Sequence, residues 1–134
     1  MPTFQSDAWF PFDAFCYYSD DDGKTWQVSK TKMQLPGHGA QEPSLVRLKS
    51  GKLLAVLRTS LGSVYKSYSV DEGETWQNIK TIEDRNPGAS STPAITFVGD
   101  EALLTFNTQP YALSKRELYS IRLKTIPIDW FRSE

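Results

Sequence analysis

Short apolar and aromatic runs separated by polar turns follow one another along the chain, and none has the spacing of an amphipathic helix. The run from Leu53 to Thr59 is almost entirely apolar, which is typical of a strand buried on both faces. Turn-forming residues such as Lys49-Ser50-Gly51-Lys52 separate the runs. The pattern therefore predicts an all-β protein. Strands are expected at 14–19, 26–31, 44–48, 53–59, 63–69, 76–82, 93–98, 102–107 and 118–126.

The chain also repeats itself. Residues 18–31 and 68–81 share nine identities in fourteen positions, at an offset of 50 and without a gap. The offset continues to Pro43 and Pro93, and to Leu53-Leu54 and Leu103-Leu104. A period of roughly 40–50 residues is that of a four-stranded antiparallel propeller blade. The repeat therefore predicts successive blades.

Each copy contains the pattern Ser-x-Asp-x-Gly-x-Thr-Trp, which we call the first turn motif (residues 19–26) and the second turn motif (residues 69–76). The Asp can accept bonds from backbone N–H groups in its own turn. The Gly permits a positive φ, and the Trp brings a large apolar ring. An EF-hand calcium loop does not fit, because Tyr18 occupies its first ligand position. The pattern residues are Ser19, Asp21, Gly23, Thr25 and Trp26, and Ser69, Asp71, Gly73, Thr75 and Trp76.

These two motifs resemble the Asp boxes of the sialidase (neuraminidase) superfamily. The resemblance implies a sialidase-like β-propeller in which the boxes lie on the rim and are structural. The chain would then hold a half blade at 1–34, a full blade at 41–82 and a further blade at 92–131, about two four-stranded blades. Propellers close with roughly 4–8 blades. The remaining blades would come from a longer polypeptide or from identical chains that assemble into a ring.

Candidate chemistry lies in the full blade. Glu42 begins one strand, and Arg58 ends the next strand, which pairs back along it. An Arg that closes an apolar strand needs an anionic partner. The segment resembles a sialidase pattern in which the Glu polarises a nucleophilic Tyr and the Arg grips the carboxylate of the sugar. The alternative is that Glu42 and Arg58 form a structural ion pair.

The resemblance leaves the site incomplete. Arg116 is the candidate for a third carboxylate-binding position, with an exposed turn charge as the alternative. The acid/base Asp and the first Arg belong to earlier blades. Tyr65 and Tyr111 are present, but neither matches the position of the nucleophile. The tail Thr125–Phe131 resembles the ending of bacterial sialidase-like proteins, which implies C-terminal blades.

Two main functions follow as expectations. The first is a sialidase-like propeller fragment, related to glycoside hydrolases of the exo-α-sialidase type and inactive as a single chain. The alternative is a non-catalytic module that binds glycan or protein and assembles as a homo-oligomer. A third is another Asp-box hydrolase that acts on a different sugar. The partner expected in the first case is an acidic sugar.

Charge and composition exclude other partners. The net charge is −1 and the Lys and Arg residues are scattered, which disfavours nucleic acid and anionic membranes. No apolar run approaches the length of a membrane-spanning helix. Cys16 is the only cysteine and is expected to be a buried thiol. His38 is the only histidine, so neither a metal site nor a cofactor is expected.

The N-terminal residues lack the basic start and apolar stretch of a secretion signal. The expectation is that the product stays in the cytoplasm, or that an upstream segment has been lost. Proteins of the resembling family are often secreted.

Overall fold

The computed structural model describes residues 11–82, 89–109 and 120–132, and within these ranges it contains nine strands and one short helix. Each predicted strand has a counterpart among these residues, but the strands predicted at 14–19 and 26–31 are each only two residues long. The elements are β1 (Tyr17–Tyr18), β2 (Gln27–Val28), β3 (Gln41–Arg47), β4 (Leu53–Arg58), β5 (Tyr65–Ser69), β6 (Gln77–Thr81), β7 (Ala89–Val98), β8 (Glu101–Gln109), β9 (Ser120–Pro127) and α1 (Ile128–Arg132).

The strands form three antiparallel sheets, each built from consecutive strands. The first sheet contains β1 and β2, the second has the order β3-β4-β5-β6, and the third has the order β7-β8-β9. Consecutive antiparallel strands joined by short turns are the construction of a propeller blade. The fold is therefore all-β, with the architecture of an incomplete propeller, as the repeat predicted.

The second sheet lies between the other two, and β4 shows why. Four of its six residues are fully buried, and they alternate between two separate apolar clusters. Leu54 and Val56 face the third sheet, whereas Ala55 and Leu57 face the first. Side chains alternate across a strand, so an unbroken apolar run requires cover on both faces. The prediction from the 53–59 run is confirmed.

The interface between the second and third sheets holds the larger cluster. Its members are Leu54, Val56, Val64, Tyr68, Ile82, Ala102, Leu104, Phe106, Ile126 and Phe131. The interface between the first and second sheets is smaller. It holds Ala14, Cys16, Met33, Ala40, Ala55, Leu57 and Trp76. Burial raises the pKa of the Cys16 thiol. The expectation of a buried thiol is confirmed.

The second and third sheets correspond, but not at one constant offset. Ser44 pairs with Val56 in the second sheet, and Ala94 pairs with Thr105 in the third. The first strands therefore keep the offset of 50, whereas β8 is shifted by 49. The predicted match of Leu53-Leu54 with Leu103-Leu104 is wrong by one residue, because the turn between β7 and β8 is one residue shorter. Leu53 corresponds to Ala102.

The short helix α1 packs at the interface between the second and third sheets. The strand pattern did not predict this helix. Phe131 is buried and Trp130 contacts the same cluster. The centre of the Trp130 ring also lies 3.9 Å from Nζ of the fully buried Lys66. Five residues are too few to display a helical repeat. No helix in the described ranges has the length and apolarity to cross a membrane.

The two motif tryptophans differ in burial, which gives a matched comparison. Trp76 is 5% exposed between two sheets, whereas Trp26 is 63% exposed. We expect Trp76→Ala to lower the free energy of unfolding by about 3–5 kcal/mol, because it leaves a cavity. Trp26→Ala should cost about 1 kcal/mol or less. Urea unfolding of both variants checks this, and equal losses would contradict the packing described.

Candidate functional site

Glu42 and Arg58, which we call the candidate pair, lie at the same end of the β3–β4 hairpin. Gln41 is opposite Arg58, and the register then slips before Ser44 pairs with Val56. Glu42 lies in this bulge, where its φ is +46°. A bulge redirects a side chain at the end of a strand. The bulge therefore turns Glu42 towards the guanidinium of Arg58.

The candidate pair is in direct contact. Arg58 Nη1 donates to Glu42 Oε1 at 2.7 Å. The other carboxylate oxygen accepts a bond of 3.0 Å from the backbone N–H of Thr92 in the third sheet. The side chains of Arg58 and Glu42 are 37% and 46% exposed. The pair is thus held from two sheets while part of the guanidinium still faces solvent.

The corresponding positions of the third sheet carry no charge. The bulge recurs between Ser91 and Ala94, and Thr92 has a φ of +52° where Glu42 has +46°. Asn107, opposite Ser91, occupies the place that Arg58 holds opposite Gln41. The strained bulge is therefore a property of the blade, whereas the ion pair is an addition to one blade. The bulge therefore forms in the third sheet without such a pair.

A groove runs beside Glu42, between the start of β3 and the segment that leads into the first sheet. Its volume is about 390 Å³, and its lining includes Phe12, Phe15, Asp13 and Gln41. This segment passes very close to Gly39: a Cβ atom on residue 39 would lie 2.1 Å from the Phe12 carbonyl oxygen. Only glycine therefore fits at this position. Apolar rings beside a few polar groups are the usual lining of a small-molecule site.

Phe12 and Asp13 were not identified from the sequence. Asp13 accepts bonds from Lys32 Nζ at 3.4 Å and from Gln34 Nε2 at 3.1 Å. Phe12 is 52% exposed and makes a parallel bridge with Gly39. Neither residue lies in a repeat or motif. Only the tertiary contact with Gly39 brings them to Glu42.

The two turn motifs have the same internal geometry and are placed away from the candidate pair. In the second, the Asp71 carboxylate accepts bonds from Thr75 Oγ1 at 2.6 Å, Thr75 N–H at 2.8 Å and Ser69 Oγ at 2.8 Å. The Gly73 N–H donates to Ser69 Oγ at 2.8 Å. The first motif repeats these distances. The Ser69 hydroxyl, the Asp71 carboxylate and the Thr75 hydroxyl are thus bonded within their own turn.

The motifs also connect neighbouring sheets. The Lys30 N–H donates to the Glu74 carbonyl oxygen at 2.7 Å, and the Trp76 N–H donates to Thr31 Oγ1 at 2.6 Å. Lys30 and Glu74 also form an ion pair. Lys30 and Thr31 lie just beyond β2, four and five residues after the first motif. The motifs therefore act as structural turns that join adjacent sheets.

The bonds within each motif stabilise the ionised carboxylate. The bonds from the Thr75 hydroxyl and N–H and from Ser69 lower the pKa of Asp71 from 3.8 to about 2. Those from Thr25 and Ser19 lower the pKa of Asp21 from 3.8 to about 2 in the same way. Donated hydrogen bonds favour the charged form. The two aspartates are thus ionised acceptors rather than proton donors near neutral pH.

The other candidate residues do not join the pair among the described residues. Arg116 and Tyr111 lie outside those residues. Tyr65 packs at the interface of the first and second sheets and pairs with Leu57. His38 is exposed in a loop, where its backbone N–H donates to Ser60 Oγ at 3.1 Å. The catalytic and carboxylate-binding roles of the candidate residues stay predictions.

Three antiparallel sheets of consecutive strands, with the same turn motif in the first two, define a propeller-type repeat protein. The sequence profile of the BNR repeat-like domain matches residues 2–132, so the chain belongs to this family within the sialidase superfamily. The chain is 34% identical over 61 residues to an anhydrosialidase from Macrobdella decora. This match covers 46% of the chain and 8% of that protein.

A solved structure shares the fold. It is a protein of unknown function from Dyadobacter fermentans, with a TM-score of 0.61 and 20% sequence identity. The superposition covers 84% of this chain and 29% of that chain. The chain thus spans less than a third of the length of either protein.

The depressed aspartate pKa values predict how stability changes with pH. An unfolded Asp titrates near about 4. Because both folded pKa values are lower, the unfolded chain binds more protons, and stability falls as the pH falls. The contribution is complete above about pH 4 and is lost as the pH falls towards about 2. The melting temperature should therefore drop as the pH is lowered from about 4 to about 2.

The Asp71→Asn variant should melt at a lower temperature than the unmodified chain near neutral pH. Its melting temperature should fall less than that of the unmodified chain on acidification. Asp20→Asn, in the first turn and exposed, is the control. An acid dependence that is equally steep in Asp71→Asn and in the unmodified chain would contradict this assignment.

Proposed function

We propose that this chain is part of a sialidase-like propeller that recognises an acidic sugar through the candidate pair. Its two turn motifs are the Asp boxes of that propeller. The observation that carries the proposal is an Arg58–Glu42 bond of 2.7 Å at the end of a hairpin, with both side chains partly exposed. The next sheet has the same bulge with uncharged residues at these places, so the backbone geometry does not by itself call for an ion pair.

The chemistry of the pair fits the carboxylate of an acidic sugar. A guanidinium offers five N–H donors in a planar fork, and Arg–carboxylate pairs are often bidentate. Glu42 engages Arg58 through Nη1 and orients the side chain. The exposed part of the guanidinium can then bind a carboxylate. The phenylalanine rings of the adjacent groove offer an apolar wall to the sugar ring.

The reaction in the proposal is hydrolysis of the exo-α-sialidase type, and the chain alone does not perform it. Tyr-based sialidases depart from the two-carboxylate mechanism of most glycosidases. In the proposal, Glu42 polarises a nucleophilic Tyr supplied by another blade, and Arg58 holds the sugar. The acid/base group and the first Arg also come from other blades. The isolated chain is therefore expected to bind but not to turn over a sialoside.

Binding of sialic acid to the isolated chain tests this function. We expect Arg58→Ala to weaken binding about tenfold or more, since a charge-assisted bond contributes about 1.5–3 kcal/mol. Arg58→Lys should restore only part of the loss, because the fork is gone. Titration followed by amide NMR shifts measures both effects. N-Acetylmannosamine, which lacks the carboxylate, should not distinguish the variants.

Arg47→Ala is a matched control, because Arg47 also forms an exposed pair, with Glu72. It should leave sialic acid binding unchanged. Equal binding by Arg58→Ala and the unmodified chain would contradict the proposal and favour a purely structural ion pair. Turnover of a fluorogenic sialoside that is lost in Glu42→Gln would instead show that one chain is active by itself.

A second candidate function is head-to-tail assembly of identical chains, and two open faces favour it. The third sheet exposes Val98 by 60%, Ile121 by 78% and Leu123 by 63%. The first sheet exposes Tyr17 by 62% and Val28 by 48%. Large exposed apolar patches mark interaction surfaces.

The two faces are the complementary halves of one interface. Phe15 corresponds to Tyr65, which is covered by a preceding sheet, and Leu103 corresponds to Leu54, which is covered by a following sheet. A second copy could therefore place its first sheet against the third sheet of this one. Such a heterologous contact closes into a ring when the rotation permits.

Light scattering on the purified chain tests assembly. We expect a mass above that of one chain, reduced to a monomer by Leu123→Lys, which puts a charge into the proposed interface. Val70→Lys is the control, because Val70 is 60% exposed on a turn. A monomeric unmodified chain at all concentrations would contradict assembly by identical copies.

A further inference from the structure

A second cavity lies at the opposite end of β3 from the candidate pair. It has a volume of about 440 Å³ and is bounded by the β3–β4 turn, the β7–β8 turn and α1. Five residues separate Glu42 from Arg47, which at about 3.3 Å per residue places the two sites about 16 Å apart. The cavity is therefore independent of the proposed sugar site.

The floor of the cavity is apolar. It is formed by Leu48, Phe97, Ile128 and Phe131, with the two phenylalanine rings in edge contact at 5.9 Å. Phe131 is 3% exposed, so the floor belongs to the interface between the second and third sheets. Ligand cavities of roughly 300–1,000 Å³ with apolar walls are typical of small-molecule sites.

The rim is basic. Arg47, Lys49 and Lys52 line the cavity, and no acidic side chain does so among the described residues. The Arg47 charge is balanced by Glu72, which binds it through both carboxylate oxygens. Lys52 Nζ lies 5.8 Å from the centre of the Tyr68 ring, which keeps it beside the rim. Lys49 is exposed. Lys49 and Lys52 therefore place two cationic side chains at the mouth.

We propose that this cavity binds an amphipathic anion, a carboxylate that carries an apolar chain or ring. The apolar part would replace water on the phenylalanine floor, where burial is favourable by about 25 cal/mol per Å². The carboxylate would remain at the mouth near Lys49 and Lys52, where it keeps much of its hydration. Long lysine side chains lay their methylene stems along apolar surface while the ammonium group stays in water. Asp100 lies in the β7–β8 turn and Asp129 in α1, two of the elements that bound the cavity, but neither side chain lines it.

Decanoate, used below its micelle concentration, is the probe. It should shift the amide NMR signals of Ser50 and Gly99, which line the mouth. Decanol and decyltrimethylammonium, with the same chain length, should bind about five- to tenfold more weakly, because an exposed charge pair contributes up to about 1 kcal/mol and two lysines act together.

Two variants separate the charge from the cavity. Lys49→Glu with Lys52→Glu should weaken decanoate binding about tenfold, whereas Lys24→Glu with Lys80→Glu, which changes the net charge equally, should not. Ser50→Trp should abolish binding by filling the mouth, and Ser50 is exposed, so the variant should still fold. Decanol binding as tightly as decanoate, or unchanged affinity in either cavity variant, would overturn the proposal. Loss of sialic acid binding in Arg58→Ala does not affect this test.

Discussion

Cover for both faces of β4 is the constraint on which the rest of the structure depends. Ala55 and Leu57 need one neighbouring sheet, and Leu54 and Val56 need another. Burial of these side chains is the dominant favourable term in folding, and it is available only when three sheets stack. The same requirement explains why the third sheet, with Leu103 and Leu123 on its outer face, presents an apolar surface at the end of the stack.

The turn motifs fix how neighbouring sheets meet. Each Asp carboxylate is satisfied inside its own turn by a Ser and a Thr, so the turn is rigid without help from the core. The residues that follow the first motif then bond to the main chain of the second. This rigid turn recurs in the first two sheets. The candidate chemistry lies away from the turns, at the ends of β3 and β4 that hold Glu42 and Arg58.

Glu42 and Arg58 show how such chemistry is placed. The bulge at the start of β3 recurs at the start of β7, with a positive φ in both places. This backbone geometry therefore belongs to the blade. Only in the second sheet does the bulge hold a carboxylate next to a guanidinium. A shared backbone with different side chains is how a repeat protein gains a site in one repeat without changing its fold.

The sequence by itself determined the all-β class, the approximate strand positions, the repeat and the placing of Glu42 and Arg58 at the same end of a hairpin. Alternation, turn residues and motif spacing are local properties, and a hairpin places the ends of its two strands together. Only the tertiary structure decided the one-residue shift of β8, the helix at 128–132 and the position of Phe12 and Asp13 beside Glu42. Each of these depends on a turn length or on contacts between distant segments. Such contacts leave no periodic pattern in the chain.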